Sequence, residues 1–567
     1  MINGFTGLAK VALAGLVAAM LPASANEDLA KRASEAGQWP MYGRDYANTH
    51  YSPLKLITAD NVKDLKLVYS LQLGSLRSNE STPIVVGDTM YVSSSWGPKT
   101  VFALDAKSGA IKWKYEPDMP NDTLQYGCCD VVSRGVSYGN GKIFVTRLDG
   151  HLVALDAKTG KELWDVQVID YKEGALITSP PLVVKNMVVT GFGGGEFGVR
   201  GYLSAYDMNS GKQVWRTWTV PGPGEPGNDT WKGDSWKHGG GAPWLVGSYD
   251  AKTNTIFWGT SNPSPWNNAV RGPDSSNYGK FTNLYTAATI AFDADTGKMK
   301  WYLQTTPYDA WDFDGVNEPV LTDLKINGKT EPVMMKADRN GFFYVANRNT
   351  GKLISAKPFV PINWATGIDL ANGRPIEVPE KRPRADHPAS NICPNLLGAK
   401  NWQPVSFDPQ AGLVFIPANN LCMDMSVSEV QYKRGTLYLG KEYPAKRGPG
   451  GYLGELIAWD PVKQKKVWGI KETTPFNGGT LATGGGVVFA GNNSGLFRAI
   501  NAKTGKVLWS VNLGSGIGAA PMTYSVNGKQ YVAVVVGRTA SIPAFLGDLG
   551  SVMLQTPEGG ALFVFAL

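Results

Sequence analysis

ALDAKSGAIKW (103–113), ALDAKTGKELW (154–164), AYDMNSGKQVW (205–215), AFDADTGKMKW (291–301), AWDPVKQKKVW (458–468) and AINAKTGKVLW (499–509) are six copies of one motif. Each runs alternating apolar residues into an Asp or Asn, passes a short polar turn and ends a second apolar run on Trp, which reads as a β-hairpin. Two worn copies, around Asn347–Leu353 and Asp408–Phe415, bring the expected total to eight. The tighter copies recur every 40–50 residues or so, the period of a four-stranded propeller blade, and the closing Trp would pack between neighbouring blades. The expected fold is therefore all-β: one eight-bladed β-propeller with tryptophan-docking motifs. The longer gaps, between Trp215 and Ala291 and between Lys352 and Trp402, predict insertions that build a site on one face.

A repeat of this kind overrides the three or four domains that 567 residues would otherwise suggest. Residues 1–25 read as a signal peptide, with an apolar run from Val11 to Leu21 and cleavage after Ala23-Ser24-Ala25. The domain is then 26–567, exported to the periplasm, and the run is too short to span a bilayer, so no stable membrane insertion is expected. The formal charge of +7 falls to +6 on removal of Lys10 with that segment. Lys and Arg are spread along the chain, so nucleic-acid binding is not expected, whereas docking of an acidic protein partner is compatible with this charge. Four Cys in an exported chain most simply make two disulfides, and without CxxCH or a His cluster neither covalent haem nor zinc is supported.

Three stretches carry candidate chemistry. Gly193-Gly194-Gly195-Glu196-Phe197-Gly198 satisfies GxGxxG, but a strand rather than a helix follows, so a dinucleotide site is rejected. Gly194 and Gly195 would let backbone approach a flat ligand, with Glu196 pointing inward; a plain tight turn is the alternative. In Trp311-Asp312-Phe313-Asp314-Gly315 the two carboxylates point to the same side if the segment is extended, and they repel unless a hard cation lies between them; a solvated pair is the alternative. Bridging the neighbours Cys128 and Cys129 would close an eight-membered ring with Cα atoms about 3.8 Å apart, a flat, hard surface suited to stacking on a planar cofactor. Two separate buried thiols are the alternative there.

Taken together with QWPMYGRDYANTHYSPL (38–54), YGCCDVVSRG (126–135), WKHGGGAPW (236–244), GTSNPSPWN (259–267) and ADRNGFFY (337–344), these residues resemble the alcohol dehydrogenases that use pyrroloquinoline quinone (PQQ), most closely the lanthanide-dependent methanol dehydrogenases. The resemblance covers essentially the whole mature chain. It implies PQQ held between the Cys128–Cys129 ring and Trp244, with Glu80, Arg134, Thr178 and Asn401 around its carboxylates and quinone edge. Metal ligands would be Glu196, Asn262, Asp312 and Asp314; Asp314 points to a lanthanide, because the calcium enzymes generally carry a small uncharged residue there. The implied reaction moves a hydride from the alcohol carbon to the quinone, with the metal as Lewis acid, Asp312 as base and Arg339 stabilising charge on the quinone oxygen. Electrons would leave to a periplasmic cytochrome c. Cys393 and Cys422 match the family's second disulfide.

Asn477, Ala242 and Phe545 depart from residues common in the family and, by the resemblance, would line the cofactor or substrate side, and GDSWKHGGGAPW is similar to the ethanol-oxidising branch; the substrate is expected among methanol and other short primary alcohols. The alternatives are a calcium- or lanthanide-dependent ethanol or broad-range enzyme, and a non-enzymatic propeller scaffold of outer-membrane assembly. The sequence leaves open whether the protein is a monomer or a homodimer.

Overall fold

The computed structural model describes residues 26–567; the expected signal peptide, 1–25, lies outside them. The repeats fold as sheets of four antiparallel strands paired in chain order. The first runs Ile84–Val86, Thr89–Ser93, Val101–Asp105, Ile111–Tyr115. Four more follow, at Ser137–Gly139 to Glu162–Gln167, Leu182–Val184 to Gln213–Trp218, Ser248–Asp250 to Met299–Gln304, and Val320–Ile326 to Leu353–Pro358. A sixth joins Ser406–Asp408, Leu413–Asn419, Gly454–Asp460 and Lys465–Glu472, and a seventh spans Thr480–Thr483 to Val507–Asn512 with a fifth strand, Tyr51–Ser52, added in parallel at its inner edge. The eighth takes three strands from the C-terminal end, Met522–Val526, Lys529–Val536 and Ala561–Ala566, and its outer strand, Lys66–Gln72, from the N-terminal end. First strands such as Ile84–Val86 and Leu182–Val184 are buried throughout, while outer strands such as Glu162–Gln167 expose alternate residues. The fold is an all-β propeller domain.

The motif's residues explain the hairpins. In all six copies the Ala that opens the motif pairs across the hairpin with the closing Trp (Ala103 with Trp113, Ala205 with Trp215, Ala499 with Trp509), and the register slips beside it. The turn's Asp caps the backbone, as where Asp105 accepts from the Ser108 amide at 2.8 Å and hydroxyl at 2.7 Å. Four of the six indoles then bond to the next sheet: the N–H of Trp113 donates to the Ala157 carbonyl at 3.0 Å, Trp164 to Met208 at 3.1 Å, Trp215 to Ala294 at 3.0 Å and Trp468 to Ala502 at 3.0 Å. Glycine is required in the receiving turn, because a Cβ on Gly160 would stand 2.6 Å from the Trp113 ring.

One expected repeat is corrected. Asp408–Phe415 is the first turn of the sixth sheet, which already holds the 458–468 copy. The eighth sheet has no such motif because its last hairpin is replaced by pairing of the two chain ends, Lys66–Gln72 against Ala561–Ala566.

The segment Tyr46–His50 crosses the inner edges of four consecutive sheets. Its carbonyls accept the amides of Tyr249, Leu321, Phe407 and Ala482 in turn, at 2.9, 3.0, 2.8 and 3.1 Å. Insertions fall in both expected gaps, and a third, unexpected one separates Asn419 from Gly454 inside the sixth sheet. Its strand Leu421–Val427 pairs with Ala389–Ile392, and the Cys393–Cys422 disulfide joins the two insertions, Cα to Cα 4.3 Å. Among the described residues no helix is long and apolar enough to cross a membrane.

Candidate active site

Cys128 and Cys129 are bridged to each other, and the resulting ring faces a cavity of about 1150 Å³, its open mouth included. Trp244, Glu80, Arg134, Thr178, Gly194, Glu196, Asp312, Arg339 and Asn401 line the same space. Sequence positions 80 to 401 thus converge, delivered by inner strand ends and insertions of different sheets.

At one end lies a polar network. Arg134 pairs with Glu80 at 2.9 Å, donates to the Thr178 hydroxyl at 2.7 Å, and lies 4.5 Å over the Trp402 ring and 5.3 Å over that of Trp244. The Trp402 indole donates to Asn477 at 3.0 Å, and Asn477 donates to Glu80 at 3.0 Å. Asn477, expected from the sequence on the cofactor or substrate side, is part of this wall, and Trp402 escaped the sequence reading because it looks like any blade Trp. Asn401 lines the cavity but spends its side chain locally, donating to the Leu397 carbonyl at 3.0 Å and accepting the Trp402 amide at 2.9 Å.

Burial pushes the Glu80 carboxyl up to about 7, against the opposing pull of Arg134. A carboxyl whose folded value lies above its unfolded one stabilises fully only below the unfolded value, near 4.5, and that contribution is lost as pH rises through the folded one. Cofactor-free Glu80→Gln should therefore gain in melting temperature relative to the unsubstituted protein as pH rises from about 4.5 to 7. A difference that stays flat or falls in that window would contradict this.

At the other end, Arg339 gathers the carboxylates. It pairs with Asp314 at 2.5 Å and Asp312 at 3.1 Å, donates to the Asp312 carbonyl at 2.6 Å and binds the Leu396 carbonyl. Asp314 also accepts the Asn262 amide at 2.5 Å and the Trp244 indole at 3.1 Å. The extended geometry expected for Trp311–Gly315 is corrected: Asp312 and Asp314 both have left-handed backbone, φ 64° and 57°. They still meet one partner, because the turn rather than strand alternation directs them.

Asn262 and Asp314 stand behind the wall, the latter fully buried. Gly195 is there too, where a Cβ would press within 2.5 Å of the Asn262 Oδ1. Asn262 Oδ1 and Asp312 Oδ1 are buried oxygens without a hydrogen-bond partner. Burial raises Glu196, raises Asp314 to about 7 and drives Asp312 well above the ordinary Asp range, with Arg339 opposing in each case. Arg339 takes oxygens of both Asp residues, and among the described residues no group of three or more His, Cys, Asp or Glu side chains is gathered closely enough to hold an ion as they stand. The donors nevertheless suit a hard cation, with two oxygens unpartnered and the carboxylates short of positive charge. The mouth is apolar, bordered by Leu437, Leu439, Tyr443, Ile542 and Phe545. Ala242 is fully buried and does not line the cavity.

Residues 39–387 and 452–532 match the family described as "PQQ: Glucose/ethanol/alcohol dehydrogenase, beta-propeller domain". The chain belongs to the PQQ-dependent alcohol dehydrogenase family. One relative in it, the lanthanide-dependent methanol dehydrogenase of Methylacidiphilum fumariolicum, is 44% identical across 98% of this chain and 96% of its own. The quinoprotein ethanol dehydrogenase of Pseudomonas aeruginosa is 39% identical across 98% and 95%. Among solved structures, a europium-containing methanol dehydrogenase superposes with a TM-score of 0.91 at 43% identity, covering 96% of this chain and all of that one. Membership in this PQQ-dependent family makes the chain an oxidoreductase acting on alcohols.

Proposed function

We propose that the protein oxidises methanol and other short primary alcohols to aldehydes in the periplasm, using PQQ and a lanthanide ion and passing electrons to a soluble cytochrome c. The observation that carries this reading is the buried pairing of Asp312 and Asp314 with the single guanidinium of Arg339, with the Glu196 carboxyl in the same cavity wall, beside the Cys128–Cys129 ring and Trp244. Three carboxylates against one cation leave a deficit of positive charge that a trivalent ion offsets better than a divalent one. Calcium remains the alternative metal. Likeness to a lanthanide-dependent methanol dehydrogenase and a europium-containing one supports the lanthanide.

In this reading the disulfide ring and Trp244 sandwich the planar cofactor, with Arg134, Thr178, Glu80 and Asn401 around its edge and Gly194 and Gly195 allowing close backbone approach. Glu196, Asn262, Asp312 and Asp314 hold the metal. When bound, the quinone and metal supply a hydride acceptor and a Lewis acid. Asp312 Oδ1, free of any partner and in the cavity wall, takes the alcohol proton; once a cation sits beside it, its carboxylate is ionised at neutral pH. Arg339 keeps that carboxylate aimed and would offer its positive charge to a bound quinone from the cavity wall.

The same reading makes residues 26–567 one closed eight-bladed propeller with tryptophan docking. The sheets in chain order, the eighth shared between chain ends and the indole-to-carbonyl bonds support it.

Substrate choice is tested by dye-linked kinetics of the lanthanide- and PQQ-loaded protein. Methanol is expected to give kcat/KM at least equal to that of ethanol. Turnover of ethanol with none of methanol would move the chain to the ethanol-oxidising reading.

A further inference from the structure

The left-handed turn that carries Asp312 and Asp314 has no strand partner, so something else must hold it. Asp309, 1% exposed and absent from the cavity wall, does so with both carboxylate oxygens. Its Oδ1 accepts the Trp311 amide at 2.8 Å, and its Oδ2 accepts the amides of Phe313 at 2.8 Å and Asp314 at 3.1 Å. Three of the four amides from Trp311 to Asp314 are thereby folded onto one side chain. The carbonyls of the same turn are held from the opposite direction. Arg271 donates to the Asp309 carbonyl at 2.8 Å and the buried ammonium of Lys441 to the Ala310 carbonyl at 2.6 Å.

We infer that Asp309 is a positioning residue, with Lys441 as its counterpart from the third insertion, and that together they set the geometry in which Asp312 and Asp314 meet a trivalent cation. The inference rests on the proposed metal site. Non-Gly residues seldom adopt positive φ unless their surroundings impose it, and here two of them, φ 64° and 57°, flank Phe313 within that turn. Asp309→Asn keeps the shape but turns one acceptor into a donor facing a backbone N–H. The turn then loses one or two of its three amide bonds and gains a repulsion. Lys441 sits in the strand Lys441–Glu442, two residues after Leu439 of the cavity lining, so its bond also ties the third insertion to the turn.

The test is equilibrium dialysis of PQQ-loaded protein against chelator-buffered La³⁺, counting bound metal by mass spectrometry, with melting temperatures recorded in parallel. Asp309→Asn is expected to weaken La³⁺ binding by about 10- to 100-fold, the range usual for groups that orient ligands. A lower melting temperature with La³⁺ affinity unchanged in the folded protein would make Asp309 merely structural and overturn the inference. Should that variant not fold, Lys441→Met removes one clamp while keeping a stem of similar length. A several-fold loss of La³⁺ affinity there is expected, and affinity equal to the unsubstituted protein would overturn the inference. If the unsubstituted protein itself binds no La³⁺ at one per chain, the metal-site reading falls and takes this inference with it.

Discussion

Replacing Asp312 by Asn is expected to lower kcat for alcohol by about 10²- to 10⁴-fold, the contribution usual for a positioned general base, while PQQ stays bound. The substitution is nearly isosteric. An Asn Oδ1 can still accept the long 3.1 Å bond from Arg339, and the 2.6 Å bond from the same guanidinium to the backbone carbonyl does not depend on the side chain. What disappears is the basic, unpartnered Oδ1 of a residue in the cavity wall. Cofactor content, read from the quinone absorbance, should stay near one per chain. Near-normal turnover would remove Asp312 as the base, and loss of PQQ together with turnover would make its role one of cofactor retention.

Asp314→Ala is expected to reduce lanthanide-supported activity by roughly 100-fold or more, beyond the 10- to 100-fold usual for groups that only orient a ligand. The loss has two sources in the geometry. One carboxylate leaves the proposed cation site, and Arg339, Trp244 and the Asn262 amide lose a shared acceptor. Asp314→Asn separates them, since it retains an acceptor oxygen but not the charge. If charge neutralisation is the main role, the Asn variant should be nearly as inactive with lanthanum as the Ala variant. Circular dichroism and melting temperature should show both variants folded. Lanthanum-supported activity retained in the Ala variant would remove Asp314 from the metal site.

The all-β architecture was legible because one hairpin recurs with a fixed Ala-to-Trp pairing, and the pairing needs no long-range information. The eighth sheet was not legible as a repeat, because its outer strand, Lys66–Gln72, lies about 490 residues before its partner, Ala561–Ala566, and no turn joins them. In the site, carboxylates and cysteines were readable because unusual residues stand together: adjacent Cys, and two Asp within five residues of a Trp-led stretch. Their geometry was not readable. Asp312 and Asp314 meet through a left-handed turn built by Asp309, an acid that looks like loop polarity until its three amide partners are seen. Trp402 was likewise hidden, since nothing local distinguishes an indole that docks a blade from one that donates into a cofactor wall, and the bonds by which Asn477 joins it to Glu80 could not be read from the chain. The apolar mouth draws Leu437 and Leu439 from an insertion that no repeat spacing announced.

The central claim is most directly tested by reconstituting metal-free protein with PQQ and either La³⁺ or Ca²⁺, and following dye-linked oxidation of methanol. Activity restored by La³⁺ and not by Ca²⁺ is the predicted result. Activity restored by Ca²⁺ alone would contradict the assignment of Asp314 to a trivalent site, and activity with neither ion would contradict the enzymatic reading as a whole.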